Sequence, residues 1–140
     1  MSDINVLWII TSGLMGASFG SFAHVVYYRT PLMIKAWKSG AKMNLWWSFP
    51  GSRCPVCKTE LSWYENVPIV GWLVLRAKCR HCQARIPVRY FLWECAWLAI
   101  GGALGWLVGI WAIVLYISLM LVALIIELLW RAMAAKNRVD

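Results

Sequence analysis

The sequence predicts an α-helical integral membrane protein with three transmembrane helices. Hydrophobic residues make up 61% of the 140 residues and the mean hydropathy is +0.62, values too apolar for an ordinary soluble domain. Two long stretches, 4–28 and 91–130, are almost free of charge, and a polar, basic stretch separates them. The expected architecture is therefore one span, a small polar module and a helical hairpin.

The first span is predicted from residues 4–28, which are 25 residues without a charge. At about 1.5 Å per residue they can cross a hydrocarbon core of about 30 Å, so we assign residues 1–29 to the first transmembrane helix. We do not expect a cleaved signal peptide, because no basic segment precedes the apolar run and Arg29 follows it. Gly16 and Gly20 form a GxxxG pattern, which allows close helix packing in lipid.

The hairpin is predicted from residues 91–130, which contain only two charged side chains, Glu94 and Glu127. Forty residues would form a helix of about 60 Å, which is twice the length that one span needs. We therefore expect two spans joined by a tight turn that is flanked by Gly105 and Gly109.

The polar stretch, residues 30–90, is predicted to form a small module of short strands and turns. It holds all five prolines of the chain, so we expect no long helix beyond Thr30. Residues 34–47 mix three lysines with three tryptophans, a composition that suits the lipid headgroup layer. No repeat is visible along the chain.

Two CxxC pairs, Cys54/Cys57 and Cys79/Cys82, lie in this module. Zn²⁺ favours four such ligands in a tetrahedron, and each CxxC supplies two of them from one turn. A site with four protein ligands would be structural, because it leaves no open position for substrate or water. Two disulfides or four free thiols are the alternatives, and His81 could replace one thiol.

The basic residues predict the orientation of the chain. Eleven of the fourteen lysines and arginines lie between residues 29 and 89, and the other three lie in the tail, residues 131–140. Because basic residues near span ends stay cytoplasmic, we expect a cytoplasmic zinc-ribbon-like module between the first and second spans. The tail is then cytoplasmic and the N-terminus periplasmic. The charge needs no nucleic-acid partner to account for it.

Three polar side chains are expected inside the apolar spans. Buried carboxylates in a membrane need partners, and for Glu94 and Glu127 these are expected among nearby arginines, namely Arg29, Arg89 and Arg131. His24 lies four to five residues inside Arg29, at a depth similar to that of the two glutamates. We interpret His24 as a hydrogen-bonding residue between helices, with a general base as the alternative.

Several blocks of the sequence resemble the N-terminal region of bacterial prepilin peptidases. Residues 20–31, GSFAHVVYYRTP, resemble the family's GSFLNVVIYRLP signature, with His24 in place of its Asn. Residues 52–57 and 76–82 resemble its two cysteine pairs. Residues 61–73, LSWYENVPIVGWL, and 86–94, IPVRYFLWE, resemble its WYENIPLLSWL and ISxRYPLVE blocks.

The resemblance implies a family of bifunctional membrane enzymes. Prepilin peptidases cleave the leader of type IV pilin and type II secretion pseudopilin precursors, and then N-methylate the new terminus with S-adenosylmethionine. Cleavage uses two aspartates, one of them in a GxGD motif. The only aspartates of this chain are Asp3 and Asp140, and it has no GxGD. An aspartyl mechanism needs two carboxyl groups at one water, so we do not expect cleavage by this chain alone.

The resemblance also selects candidate binding residues at the membrane boundary, and none is assigned a catalytic role. The family-matched candidates are His24, Arg29, Trp63, Tyr64, Glu65, Asn66, Arg76, Arg89, Tyr90 and Glu94. Charged groups near lipid must satisfy one another. We therefore expect Glu65 or Glu94 to pair with an arginine, and the candidates are Arg89, Arg76 and Arg29.

These observations leave several functions open for a protein of the bacterial inner membrane. The first is a stand-alone, non-peptidase scaffold or accessory subunit that docks a pilin-like protein or another membrane partner. The alternatives are an S-adenosylmethionine-dependent N-methyltransferase of processed pilin-like proteins and the non-catalytic half of a split peptidase. A further alternative is an unrelated zinc-ribbon subunit of a larger membrane complex.

Overall fold

Three long helices form the frame of the molecule, which is a computed structural model that describes residues 3–40, 46–48 and 50–136. In chain order the elements are α1 (Asp3–Lys38), a 3₁₀ turn (Trp63–Asn66), α2 (Val70–Val74), α3 (Val88–Val108) and α4 (Ile110–Lys136). The helices α1, α3 and α4 are each long and apolar enough to cross a membrane. The three-helix membrane fold is therefore confirmed.

Helix α1 is longer than the sequence predicts. It continues through Pro31 to Lys38, so the expectation of no long helix beyond Thr30 is wrong for this segment. A proline removes one backbone donor from a helix, here the N–H that would reach Tyr27. Membrane helices tolerate that loss, and the Thr30 hydroxyl supplies a nearby hydrogen bond to the Val26 carbonyl at 2.6 Å.

The close packing of α1 against α3 depends on glycines. A Cβ atom added to Gly16 would lie 2.4 Å from the Trp97 carbonyl oxygen, and one added to Gly20 would lie 2.3 Å from the Trp97 ring. From the other side, a Cβ on Gly101 would lie 2.3 Å from the Ser12 carbonyl oxygen. Real Cβ atoms do not come so close, so the GxxxG pattern does permit backbone contact between the two helices.

The turn of the hairpin is tighter than predicted. Helix α3 ends at Val108, α4 begins at Ile110, and only Gly109 separates them. Gly109 has a φ of 59° and donates its N–H to the Gly105 carbonyl, a helix end that glycine makes without strain. The prediction that Gly105 flanks the turn is wrong. It lies inside α3, where a Cβ would come within 2.4 Å of the Trp8 carbonyl oxygen.

A second contact region joins α1 to α4 through residues 46–48. Trp47 is buried there in a small apolar cluster with Met33 of α1 and Ala134 of α4. In the segment 34–47, expected to be interfacial, residues 34–38 belong to α1 and residues 41–45 lie outside the described residues. The described residues Trp46 and Trp47 are packed between α1 and α4.

The glycine contacts predict which helix positions tolerate a methyl group. Gly101→Ala should lower the free energy of unfolding by about 1–3 kcal/mol, because the added Cβ overlaps the backbone of α1. Gly102→Ala is the matched control, since its nearest neighbour would be Ile9 at 3.7 Å, and it should leave the free energy of unfolding unchanged or raise it by up to about 1 kcal/mol, because alanine favours the helix. Thermal unfolding in detergent, followed by circular dichroism, measures both. Equal effects of the two substitutions would contradict the packing.

Candidate metal centre and its attachment to the membrane helices

The first CxxC pair lies in a short hairpin that we call the first knuckle, residues 52–61. Arg53 and Glu60 face each other in an antiparallel bridge. The Cys54 N–H donates to the Thr59 carbonyl at 3.0 Å, and Lys58 adopts a φ of 60° to close the turn. The sequence thus forms a tight loop that presents both thiols on one side.

The second CxxC pair repeats this geometry 25 residues later, in the second knuckle, residues 77–86. Lys78 and Arg85 form the equivalent bridge, and the Cys79 N–H donates to the Ala84 carbonyl at 2.8 Å. Gln83 has a φ of 57°, the counterpart of the left-handed residue in the first knuckle. The expectation of no repeat is therefore wrong at the level of structure. The repeat is short and its side chains differ, apart from the cysteines and a basic residue before each pair.

The two knuckles bring their four sulfurs together. All four Sγ atoms lie within 4.8 Å of one another. The Cys54–Cys82 and Cys57–Cys79 sulfur distances are 3.7 and 3.9 Å, and both cross between the knuckles. A tetrahedral zinc with bonds of about 2.3 Å would set its sulfurs about 3.8 Å apart, so the four cysteines fit such an ion. They form a group that could hold a metal ion, and His81 is not part of it.

The backbone around the sulfurs favours thiolates. The Cys57 N–H donates to the Cys54 sulfur and lowers its pKa. The hydroxyl and N–H of Thr59 lower the pKa of Cys57 to about 6. At Cys82 the N–H of Ala84 also favours the thiolate, but burial and the neighbouring thiols outweigh it and raise the pKa to about 11. A divalent cation binds thiolates, so its binding would release the protons that remain on these sulfurs.

A buried carboxylate joins the second knuckle to the 3₁₀ turn. Glu65 is only 7% exposed, and its carboxylate accepts the Ser62 N–H at 2.7 Å. Its other oxygen lies 3.4 Å from Nε of Arg80, a residue between the two cysteines of the second pair. Arg80 also donates to the Tyr64 hydroxyl and lies over the Tyr64 ring. The second CxxC turn is thereby attached to the residues that begin the family-matched block.

A second carboxylate joins the module to α3. Glu94 accepts the backbone N–H of Ile69 at 2.7 Å. Ile69 has a φ of 65°, which is rare for a β-branched residue, and Val70 N–H donates to the Pro68 carbonyl across it at 2.6 Å, forming a γ-turn. Trp72 of α2 packs against Phe91 of α3 with ring centroids 4.8 Å apart. Glu94 thus fixes a strained turn at the start of α2.

The predicted ion pairs of these two carboxylates are wrong. The sequence predicted an arginine partner for Glu65 or Glu94, from the set Arg29, Arg76 and Arg89. Within the described residues, Glu65 pairs with Arg80 instead, and Glu94 accepts a backbone donor. Arg80 is the partner of Glu65 because its CxxC turn faces the 3₁₀ turn. This arrangement cannot be inferred from the separation of the two residues in the sequence.

Arg29 and Glu127 hold the segment 46–48 from two sides. Arg29 donates to the Trp46 carbonyl at 2.7 Å and to the Trp47 carbonyl at 3.2 Å. Glu127, which is 3% exposed, accepts the Ser48 hydroxyl at 2.8 Å and its N–H at 3.3 Å. Nη2 of Arg131 lies 2.5 Å from the same carboxylate oxygen, which confirms Arg131 as a partner of Glu127.

His24 lies between α1 and α3, as expected, but its contacts are aromatic. Its ring meets Tyr90 edge to face at 4.7 Å and lies 6.3 Å from the Trp93 ring. Trp93 in turn donates its indole N–H to the Gly20 carbonyl at 2.9 Å. Arg89 lies over the outer face of Tyr90, with 5.4 Å from its guanidinium carbon to the ring centroid.

The remaining family-matched residues are exposed: Trp63, Asn66, Arg76 and Arg89. Sequence reasoning missed Arg80 and Ser48 as structural partners. Arg80 carried no signal for this pairing, because the sequence does not reveal that its CxxC turn faces the 3₁₀ turn. Ser48 carried no signal, since its partner Glu127 is 79 residues away in the chain.

The carboxylates inside the spans have different hydrogen-bond partners. Glu94 and Glu127 each belong to a separate hydrogen-bonded group, at α2 and at residues 46–48 respectively. Asp3 lies in the first turn of α1, and Asp140 lies outside the described residues. Among the described residues, the four cysteines form a group that could hold a metal ion, and such a site would leave no coordination position open.

Comparison with known proteins identifies the family. The family model for the bacterial peptidase A24 N-terminal domain matches residues 14–108. The prepilin leader peptidase/N-methyltransferase of Vibrio cholerae is 34% identical over 107 residues, which cover 75% of this chain and 40% of that protein. The protein of the same name from Neisseria gonorrhoeae is 34% identical over 144 residues, covering 91% of this chain and 50% of the relative.

A further relative of the same name, from Myxococcus xanthus, is 43% identical over 81 residues, covering 58% of this chain and 21% of that protein. No solved structure matches the chain. The chain spans half or less of the length of these three curated relatives. Its apolar helices and these relatives support a protein of the inner membrane. The chain therefore belongs to the prepilin peptidase family and corresponds to its N-terminal region.

Proposed function

We propose that this chain acts as a non-peptidase membrane scaffold that docks a membrane partner of the pilin-processing machinery. The partner is either a pilin-like protein or a membrane protein that carries the peptidase aspartates. The proposal rests mainly on the hydrogen bonds that Glu94 and Glu127 accept from Ile69 and Ser48. Both are bound to loop residues, so the carboxylates of the spans hold the polar segments in place.

Cleavage of a leader by an aspartyl mechanism needs one protonated and one ionised carboxyl group across a shared water. The separate hydrogen-bonded groups of Glu94 and Glu127 do not supply such a pair. The names of the relatives include peptidase and N-methyltransferase, and this chain matches only part of their length. The docking role uses what the matched region contributes, which is a membrane frame with a rigid polar module on it.

The rigidity of the module would come from a structural zinc ion bound by Cys54, Cys57, Cys79 and Cys82. Between residues 50 and 87 the structure contains one 3₁₀ turn, one short helix and two isolated bridges, too little to bury a large core. When bound, Zn²⁺ would contribute folding free energy, and it would do no chemistry on a substrate. The distribution of basic residues supports a cytoplasmic position for this module and a periplasmic N-terminus.

The first test is the metal content of the purified chain. We expect one Zn²⁺ per chain in the wild type, loss of the metal in Cys57→Ser, and loss of protease resistance in the module. Cys95→Ser is the control, because Cys95 lies in α3 and outside the four-sulfur group. Inductively coupled plasma mass spectrometry gives the metal per chain. Disulfides among the four cysteines in freshly prepared, unoxidised protein would contradict the site.

The second test is function. The purified chain, in liposomes with a type IV pilin precursor, should leave the leader uncleaved, while the full-length Vibrio cholerae relative serves as positive control. The chain should nevertheless retain the pilin precursor or a GxGD-containing membrane protein in a detergent pull-down.

Three outcomes would contradict the scaffold proposal. One is leader removal that persists in Asp3→Asn and Asp140→Asn but disappears in Glu94→Gln or Glu127→Gln, since that would show carboxylate catalysis. Another is binding of S-adenosylmethionine by the chain in isothermal titration calorimetry, which would favour methyl transfer. The third is failure to retain either partner when the metal is bound.

A further inference from the structure

The short helix α2 lies beside the entrance of a membrane span. Its start is fixed by the hydrogen bond from Ile69 to Glu94, and its Trp72 packs on Phe91. Glu94 is six residues beyond Val88, the first residue of α3, so it lies about 9 Å along that helix. Because α3 is a candidate span, this contact sets α2 at the depth where the membrane interface begins.

One face of α2 is apolar and uncovered. Val70, Leu73 and Val74 are 50%, 53% and 62% exposed, and their spacing of three and four residues puts them on the same side of the helix. The opposite side is packed, since a Cβ on Gly71 would come within 2.2 Å of the Glu65 carbonyl oxygen. An apolar face next to a span, on a helix that is held from behind, is suited to lipid.

The second knuckle follows α2 directly and carries an unusual charge pair. In the first knuckle, Arg53 faces Glu60, and their charged groups are 3.8 Å apart. At the equivalent bridge of the second knuckle, Lys78 faces Arg85. The Cys79-to-Ala84 and Ile86-to-Ala77 hydrogen bonds flank this pair, which makes it the close type with Cα atoms about 4.5 Å apart. Like charges placed directly opposite are destabilising, and an anion bound between them would relieve that repulsion.

The protein itself does not supply that anion among its described residues. Lys78 and Arg85 are exposed, as are Arg76 and Arg89 on either side of the knuckle. The two acidic residues of the segment 50–87, Glu60 and Glu65, are paired with Arg53 and Arg80. The surface that adjoins α2 therefore combines an apolar face with a cluster of basic groups.

We propose that α2 lies in the membrane interface and that Lys78 and Arg85 bind the phosphate of an anionic phospholipid headgroup. The apolar face of α2 contacts the acyl chains, and the basic pair lies at headgroup level. Helix α3 begins at Val88, two residues after the end of the second knuckle, so the pair stands at the membrane boundary. The bilayer is favoured over a protein because only the bilayer presents acyl chains and phosphate side by side next to a span.

The test measures lipid preference in the zinc-loaded full chain. The chain is reconstituted in nanodiscs of mixed phosphatidylglycerol and phosphatidylcholine, and the lipids that stay bound are counted by native mass spectrometry. Lys78→Gln with Arg85→Gln should reduce the preference for phosphatidylglycerol by about fivefold or more. The control is Arg53→Gln with Lys58→Gln, which removes one Arg and one Lys from the first knuckle and should leave the preference within about twofold of the wild type. Equal losses in the two double variants would overturn the site.

Two further measurements separate the remaining outcomes. Addition of millimolar inorganic phosphate should not displace the bound lipid, and displacement would identify a site for soluble anions instead. A spin label at Val74→Cys, introduced together with Cys95→Ser, should be more accessible to oxygen than to a water-soluble nickel complex. A label open to the nickel complex, or shielded from both quenchers, would overturn the membrane placement of α2 even if both double variants fold normally.

Discussion

Hydrogen bonds from loop residues to two glutamates of the membrane helices hold the polar part of this protein in place. Glu94 of α3 accepts the Ile69 N–H, and Glu127 of α4 accepts both the N–H and the hydroxyl of Ser48. A carboxylate near lipid needs hydrogen-bond donors, and the N–H groups of a loop near lipid need acceptors. When the two bind each other, the free-energy cost of removing both from water is offset. These two glutamates are in this way committed to structure, which is why we favour a docking role over carboxylate catalysis.

The four-cysteine group extends this attachment into the module. The sulfurs join the two knuckles, and Arg80, inside the second pair, reaches Glu65 and Tyr64 at the 3₁₀ turn. That turn packs against α2, and α2 is fixed to α3 through Glu94. A metal ion bound by the sulfurs would therefore stabilise the position of α2 at the membrane as well as the fold of the knuckles.

The features that sequence predicted are those that follow from composition or from local spacing. Uncharged length predicted the three helices, and CxxC spacing predicted four sulfurs at one point. The features that the sequence did not predict depend on contacts between residues that are distant in the chain. The Ser48 partnership of Glu127 and the Arg80 partnership of Glu65 require the fold, and the continuation of α1 through Pro31 overrode a local helix-breaking signal. The two knuckles share a backbone geometry, and segments with different side chains can adopt the same backbone geometry.

Removal of the hydrogen bond between Glu94 and Ile69 tests most directly whether this carboxylate holds the polar module to α3. Hydrogen–deuterium exchange in nanodiscs should be compared for wild type, Glu94→Gln, which keeps an acceptor, and Glu94→Leu, which keeps only the volume. We predict that amides of residues 67–75 exchange about tenfold faster in Glu94→Leu, because the turn loses its acceptor, while Glu94→Gln stays close to wild type. Unchanged exchange in Glu94→Leu would contradict the claim that this carboxylate holds the module to the membrane helices.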